Sequence, residues 1–267
     1  MNVVISTTVQ WNIGDQFILN GVLRLLRLSW GDIHVILHDR NPDRLPLGGS
    51  AAHSVMESGW ADAFVVAGSP GWTGECSAIY ETALRCNVPI FLIGIGSGSH
   101  AEGLSSQIER DVFVQDAIEK ASLIICRDEP LRDLLKERRQ DIHLLPCPAS
   151  MIERRSSPYR ASTVGAMGPW WVQQDCDICC AHQTSDIQNH DAFFSSDTES
   201  YYDLYASAKR VISSRLHASI VCRVMGTPVE NLWPEDDCRC PAAWSLVSET
   251  CLDDAFNDYC KLISSTS

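Results

Sequence analysis

Short apolar runs alternate with longer segments of helical period through residues 1–150, and this alternation restricts the fold more than any other feature. The runs at 63–67, 88–93 and 123–126 are apolar on both faces. Strands of this kind need cover on both sides, which is typical of a parallel sheet between helices. The pattern therefore predicts a βαβ series and an α/β fold.

The remaining elements are predicted from the same two periodicities. In the first half, strands are predicted at 3–5, 33–37 and 142–145, and helices at 15–26, 76–86, 105–121 and 129–139. After a polar stretch at 153–162, strands are predicted at 163–167, 177–181, 192–194, 210–213 and 227–229, and helices at 201–208, 218–225 and 253–263. We interpret this as two Rossmann-like parallel-sheet domains, 1–150 and 151–267, facing a cleft.

The charge balance limits the partners of the chain. It carries 34 acidic and 21 basic side chains, a formal net charge of −13. That sign disfavours a nucleic-acid partner, while a few arginines in a cleft can still bind a small anion. The first ten residues lack Lys and Arg, and no apolar run has membrane-spanning length. We expect a cytoplasmic protein without a membrane span, and homo-oligomer formation stays open.

Twelve cysteines are many for such a chain, and we expect reduced thiols that serve packing or metal binding. The candidates for a metal are the run 176–180 and the pair Cys238 and Cys240. Cys179 and Cys180 are adjacent in a predicted strand, so their side chains point to opposite faces. No second pair stands at zinc-ribbon spacing, and we predict no metal site.

Two glycine-rich turns, at 68–71 and 94–98, follow neighbouring apolar strands. Strand ends of this kind are the usual ligand-binding edge of an open sheet, and glycine lets the backbone approach a ligand closely. Neither a dinucleotide fingerprint nor a Walker loop is present. The turns are either tight connections or ligand contacts. Their candidate binding residues are Ser69, Gly94, Gly96 and Ser97.

Arg127 directly follows the apolar run at 123–126. A planar, permanently charged guanidinium at a strand end is suited to clamp a carboxylate or a phosphate. The alternative is an ion pair with Asp128 or Asp133 on the protein surface. The sequence leaves both interpretations open.

The sequence Ser-Ser-Arg-Leu-His at 213–217 joins a predicted strand to a predicted helix. It combines a helix N-terminus, a fixed positive charge and a titratable imidazole, which suits anion binding and acid–base chemistry. The alternative is a histidine with a purely structural role. His182 and Asp186 follow the predicted strand at 177–181 and are further candidates for the cleft.

Several motifs in order resemble those of the polysaccharide pyruvyl transferase family. They are Asn-Ile-Gly-Asp at 12–15, the glycine turn at 68, Gly-Ile-Gly at 94–96, Arg-Asp at 127–128, Pro-Cys-Pro-Ala at 146–149, His-x-x-x-Asp at 182–186, Tyr-Tyr-Asp-Leu-Tyr at 201–205, Ser-Arg-Leu-His at 214–217 and Gly-x-Pro at 226–228. The resemblance spans nearly the whole chain. The Ser-Arg-Leu-His turn is its most specific part.

The resemblance implies a fold similar to GT-B glycosyltransferases. It also implies transfer of pyruvate from phosphoenolpyruvate (PEP) to hydroxyls of a sugar or glycan precursor as a ketal. PEP is then the donor substrate, and no cofactor is expected. The Arg-x-His turn of the family is associated with PEP binding, which implies catalytic roles for Arg215 and His217, with His217 as general acid.

Our leading hypothesis is that Arg127 and Arg215 hold the anionic groups of PEP, and that Asp15 and the glycine turns at 68 and 94–98 line the acceptor side of the cleft. The other substrate-binding candidates are Gly14, Ser214, Leu216 and His182. Two alternatives stay open at this point. One is a GT-B-type glycosyltransferase that uses a nucleotide sugar, and the other is a non-catalytic relative that binds an anion or a glycan.

Overall fold

The computed structural model describes residues 1–7, 13–40, 48–68, 75–97, 101–154, 170–172, 177–180, 198–208, 210–213, 215–231, 233 and 239–266. The strands are β1 (Asn2–Thr7), β2 (His34–Asp39), β3 (Ala63–Ala67), β4 (Ile90–Ile95), β5 (Leu123–Cys126), β6 (Ile142–Leu144), β7 (Trp170–Val172), β8 (Asp177–Cys180), β9 (Arg210–Ser213) and β10 (Val229–Asn231). The helices are α1 (Ile13–Trp30), α2 (Gly48–Glu57), α3 (Glu75–Arg85), α4 (Ala101–Arg110), α5 (Val112–Lys120), α6 (Glu129–Lys136), α7 (Thr198–Ser207), α8 (Leu216–Met225), α9 (Arg239–Glu249) and α10 (Leu252–Ser265).

The first six strands form one parallel sheet in the order β2-β1-β3-β4-β5-β6. The predicted α/β fold is thereby confirmed, and β3 and β5 have the predicted bounds. All residues of β3, β4 and β5 are buried. Because all six strands are parallel, their carboxyl ends meet at one edge, which collects the turns that follow β4 and β5.

Alternate residues of these strands belong to two different cores. Val3 and Ile5 pack with α1 in one cluster, whereas Val4 packs in a second cluster that includes residues of α2, α3, α5 and α6. This period of two is the physical reason for the continuous apolar runs, since each face of the sheet buries its own set of side chains.

The second sheet has the order β10-β9-β8-β7. Strands β8, β9 and β10 are parallel, as predicted, but β7 pairs antiparallel with β8. The prediction of a purely parallel second sheet is therefore wrong at this edge. Strands β9 and β10 match the predicted positions to within two residues, and the strands predicted at 163–167 and 192–194 lie outside the described residues.

Helix α1 packs against elements from both halves of the chain. Phe17 contacts the ring of Tyr202 at a centroid distance of 5.4 Å, and the indole N–H of Trp30 donates to the carbonyl of Ile263 in α10 at 3.3 Å. Residues of α1, α7, α8 and α10 therefore share one hydrophobic cluster with the first sheet. The division at residue 150 remains a prediction about domains.

One predicted helix needs correction, and three elements were not predicted. The helix predicted over 105–121 is two helices, because Asp111 ends one and its Oδ1 accepts from the N–H groups of Phe113 and Val114 to start the next. Helices α2 and α9, and strand β7, were not predicted at all.

Among the described helices, none combines the length and the apolar character that crossing a bilayer demands.

Candidate functional site at the carboxyl edge of the first sheet

Arg127 leaves the end of β5 and is buried, with 4% of its surface exposed. Its N–H donates to the carbonyl of Ile95, which fixes the backbone beside the turn that follows β4. Within the described part of the chain, no carboxylate lies within 4 Å of its guanidinium. The predicted alternative of a surface ion pair is therefore wrong.

The two acidic residues of that alternative have other partners. Asp133 pairs with Arg132 on the exposed face of α6 at 2.7 Å. Asp128 is fully buried, and its carboxylate accepts from backbone N–H groups, from Ser97 at 2.8 Å and from Leu131 at 3.1 Å. Asp128 thus joins the β4 turn to the start of α6 and leaves Arg127 without a contacting counter-charge.

One nitrogen of the Arg127 guanidinium has two neighbours, an imidazole and a thiol. Its Nη1 lies 3.1 Å from Nε2 of His217 and donates to Sγ of Cys147 at 3.8 Å. Its Nε is buried and has no hydrogen-bond partner among the described residues. A buried guanidinium that no described carboxylate contacts and that has a nitrogen without a hydrogen-bond partner favours a bound carboxylate or phosphate.

Electrostatics keep this cation charged and its sulfur neighbour neutral. Burial acts against the charge of Arg127, but the Cys147 sulfur and the carboxylates of Asp128 and Asp15 hold the pKa of Arg127 above its usual value. Burial is also the main reason that the pKa of the Cys147 thiol is raised. The thiol is therefore protonated at neutral pH and does not neutralise the guanidinium.

The turn between β9 and α8, in the second half of the chain, positions His217 next to Arg127. Ser213 ends β9, and its hydroxyl accepts from the N–H of Arg215 at 2.9 Å and donates to the carbonyl of Arg215 at 3.2 Å. This tight turn makes Arg215 the N-cap residue of α8 and puts His217 in the first helical turn. Both side chains are half-buried. The structure thereby brings Arg127 and His217, ninety positions apart, into contact.

The turn between β6 and the short 3-10 helix Pro148–Ser150 holds Cys147 against Arg127. We call residues 146–148 the PCP turn. The phenol of Tyr259, fully buried in α10, donates to the carbonyl of Pro146 at 2.9 Å. Burial raises the pKa of Tyr259, so it keeps the proton that it donates. Helix α10 thus supports the PCP turn of the site.

Sequence reasoning missed Cys147 and Tyr259 as neighbours of the site. For Cys147 the signal was available, because two prolines at a strand end mark a rigid turn. Nothing in the sequence connects Tyr259 with this turn, since the two are more than a hundred residues apart.

The two glycines at the carboxyl end of β4 have different environments. A Cβ on Gly96 would lie 2.4 Å from Nε of Arg127 and 2.6 Å from Oδ2 of Asp128, so only glycine lets Arg127 pass this close to the backbone. A Cβ on Gly94 would meet the ring of Pro148 at 2.2 Å, so the PCP turn covers that position. Ser97 is buried, and its Oγ has no hydrogen-bond partner in the described part of the structure.

The remaining predicted site residues fall into three groups. Gly14 and Asp15 lie buried in the first turn of α1, and the charge of Asp15 acts on Arg127. The side chain of Leu216 points away from the turn and packs in the hydrophobic core. Only the backbone of Leu216 can therefore face a ligand. Three predicted residues, and Asp186 with them, lie outside the described residues: Ser69, His182 and Ser214.

The metal candidates are only partly described. Cys240 is buried and is not in a disulfide, whereas Cys176 and Cys238 lie outside the described residues. In the ranges that the structure covers, no three His, Cys, Asp or Glu side chains are grouped so that they could hold a metal ion.

A family model matches the chain, and a solved structure of low sequence identity has a similar fold. A family model described as polysaccharide pyruvyl transferase matches residues 12–232. A solved structure of a functionally uncharacterised protein from Klebsiella pneumoniae has a similar fold, with a TM-score of 0.50 and 12% identity, over 91% of this chain and 87% of that one. HepE from Anabaena, solved in complex with UDP, has a TM-score of 0.44 and 10% identity, over 99% of this chain and 95% of that one. None of the curated proteins is a significant match.

Proposed function

This chain belongs to the polysaccharide pyruvyl transferase family, and we propose that it transfers pyruvate from PEP to hydroxyls of a sugar or glycan precursor as a ketal. The contact between Arg127 and His217 is the observation that carries the proposal. It puts a buried guanidinium without a contacting carboxylate next to a half-buried imidazole. PEP offers the two anionic groups that such a cation needs.

The residues have complementary roles in this proposal. Arg127 and Arg215 hold the carboxylate and the phosphate of PEP, and the N-terminus of α8 adds its positive dipole end. His217 protonates the methylene carbon of PEP, and the adjacent carbon becomes electrophilic. Addition of two acceptor hydroxyls and departure of phosphate complete the ketal. The acceptor hydroxyls release protons, which balance the proton that His217 gives to the methylene carbon.

We propose that the acceptor binds at the same edge of the sheet. The charge of Asp15 acts on Arg127, and in this proposal Asp15 accepts a proton from an acceptor hydroxyl. We propose a two-lobed, GT-B-like arrangement in which the acceptor lies between the first sheet and α8. Because PEP is the proposed donor, we propose that the protein acts in the cytoplasm.

The test is phosphate release from PEP in the presence of a panel of sugars and glycan precursors. Wild-type protein should release phosphate only with an acceptor, and His217→Gln should reduce the rate by at least a hundredfold, an effect of about 10²–10⁴ for a general acid. The melting temperature of this variant should be close to that of wild type, because His217 is half-buried.

Thermal shift measurements separate the proposal from the other two functions. Only a true donor should stabilise the protein strongly. Stabilisation by PEP with acceptor-dependent phosphate release supports the proposal. Stabilisation by a nucleotide sugar and not by PEP indicates a glycosyltransferase. PEP binding without turnover against any acceptor indicates a non-catalytic relative.

A further inference from the structure

The contact between Arg127 and His217 determines where the imidazole carries its proton. A guanidinium nitrogen has hydrogens to donate and cannot accept a hydrogen bond. Nη1 of Arg127 lies 3.1 Å from Nε2 of His217, so Nε2 is the acceptor. The imidazole in this state is neutral and carries its single proton on Nδ1.

This state is the wrong one for a general acid. Protonation of Nε2 would break the hydrogen bond and put a second positive charge beside a buried guanidinium. Two described groups near Arg127 are already engaged. The thiol of Cys147 is neutral, and the carboxylate oxygens of Asp128 accept from backbone N–H groups. Asp15 is the one acidic group of α1 in this electrostatic environment.

We propose that anion binding switches His217 from acceptor to acid: an anion that takes the Nη1 hydrogen of Arg127 frees Nε2, which then takes a proton from solvent. Arg127 is thus a positioning residue for His217 as well as a contact for the anion. The identification of this anion as the PEP donor rests on the proposed function. The switch itself depends only on the geometry of the two side chains.

The switch couples anion affinity to pH. In the ligand-free protein the guanidinium keeps the imidazole neutral, and in the complex the anion stabilises the imidazolium. Each bound anion therefore takes up one proton. Between the pKa of His217 in the free protein and its higher pKa in the complex, affinity should rise about tenfold for each unit by which the pH is lowered. The general acid then exists only while the donor site is occupied.

Sulfate is the probe for the experiment, because it keeps two negative charges through the neutral range and does not titrate itself. Nitrogen-15 NMR of histidine-labelled protein reports the two ring nitrogens of His217. Without sulfate, we expect Nδ1 protonated and Nε2 unprotonated. With saturating sulfate, we expect both nitrogens protonated. Calorimetry in two buffers of different ionisation enthalpy should give about one proton taken up per sulfate.

A matched pair of variants assigns the proton to this residue. His217→Gln should bind sulfate without proton uptake and without the tenfold dependence on pH. Arg127→Lys keeps a positive charge but loses the fork of the guanidinium, so its His217 should show a mixture of tautomers.

Three results would overturn the switch: a ligand-free His217 protonated on Nε2, proton uptake that persists in His217→Gln, or no binding of sulfate at all. The switch and the proposed function fail in different ways. Phosphate release from PEP combined with pH-independent sulfate binding overturns the switch alone. Tautomer change and proton uptake without any transfer from PEP support the switch and overturn the pyruvyl transferase.

Discussion

Replacement of Arg127 by methionine should stabilise the protein while it removes anion binding. The buried guanidinium has no contacting carboxylate among the described residues, and its Nη1 hydrogen bonds go to a thiol and an imidazole. Relief of the desolvation of the buried charge, less the lost attraction of the Asp128 and Asp15 carboxylates, yields about 3 kcal/mol. Loss of the two hydrogen bonds costs about 2 kcal/mol. The free energy of unfolding should therefore rise by about 1 kcal/mol.

Arg139→Met is the matched control. Arg139 is also largely buried, with 16% of its side chain exposed, but it has the partners of a structural arginine. It pairs with Asp141, and its Nη1 donates to the carbonyls of Ile118 at 3.2 Å and Glu119 at 3.3 Å, at the end of α5. This variant should lose about 2 kcal/mol, since hydrogen bonds from a charged group are worth 1.5–3 kcal/mol.

Urea unfolding followed by circular dichroism, without and with sulfate, measures both effects. Without sulfate, Arg127→Met should be at least as stable as wild type and Arg139→Met clearly less stable. With sulfate, wild type and Arg139→Met should gain stability, and Arg127→Met should not. A loss of 2 kcal/mol or more in Arg127→Met would refute the reasoning, because Arg127 would then be a structural arginine.

Three further predictions concern other buried positions. Gly21→Ala should lose about 2 kcal/mol, because its Cβ would lie 1.8 Å from the carbonyl oxygen of Pro148, whereas the same change in an open helix stabilises. Tyr259→Phe should lose about 2 kcal/mol, since the buried carbonyl of Pro146 loses its donor. Burial is the main cause that lowers the pKa of His38 to about 4 in the folded protein. Below pH 6.5, the ordinary pKa of histidine, the unfolded chain therefore binds more protons than the folded one. His38 should therefore reduce stability by about 3 kcal/mol as the pH falls from 6.5 to 4.

The controls for these predictions lie on the same elements. Leu28→Ala, at an exposed position of α1, should change stability by less than 1 kcal/mol, and an equally stable Gly21→Ala would contradict the close approach at Pro148. His38→Gln should lose the slope between pH 6.5 and 4, whereas the exposed His34→Gln should keep it. Unchanged urea midpoints for Tyr259→Phe would show that α10 does not support the PCP turn.

The first sheet was predictable because its strands are buried on both faces. At 63–67 and 123–126, every position is apolar and the run ends at a turn, so the sequence pattern and the burial agree. The break at Asp111 was not predictable in the same way, because helical periodicity continues on both sides of it. Helix α2 begins with two glycines, which are poor helix formers, and tertiary packing decides its structure.

The site was predictable as a set of residues and not as a geometry. Arg127 was found from its position after an apolar strand, and His217 from its turn before a helix. Their contact depends on how α1, the PCP turn and α8 pack together, and local sequence carries no information on that packing. The uncharged partners of Arg127 were equally hidden, because the sequence offered Asp128 as the nearest acid and only the structure shows what Asp128 binds.

A crystal structure of the protein with PEP is the most direct test of the central claim, which is that a guanidinium and an imidazole from the two halves of the chain form one donor site. We predict an anionic group of PEP within hydrogen-bond distance of Arg127, and the methylene carbon of PEP next to the ring of His217. PEP bound elsewhere, with Arg127 still in its contact with His217, would contradict the account.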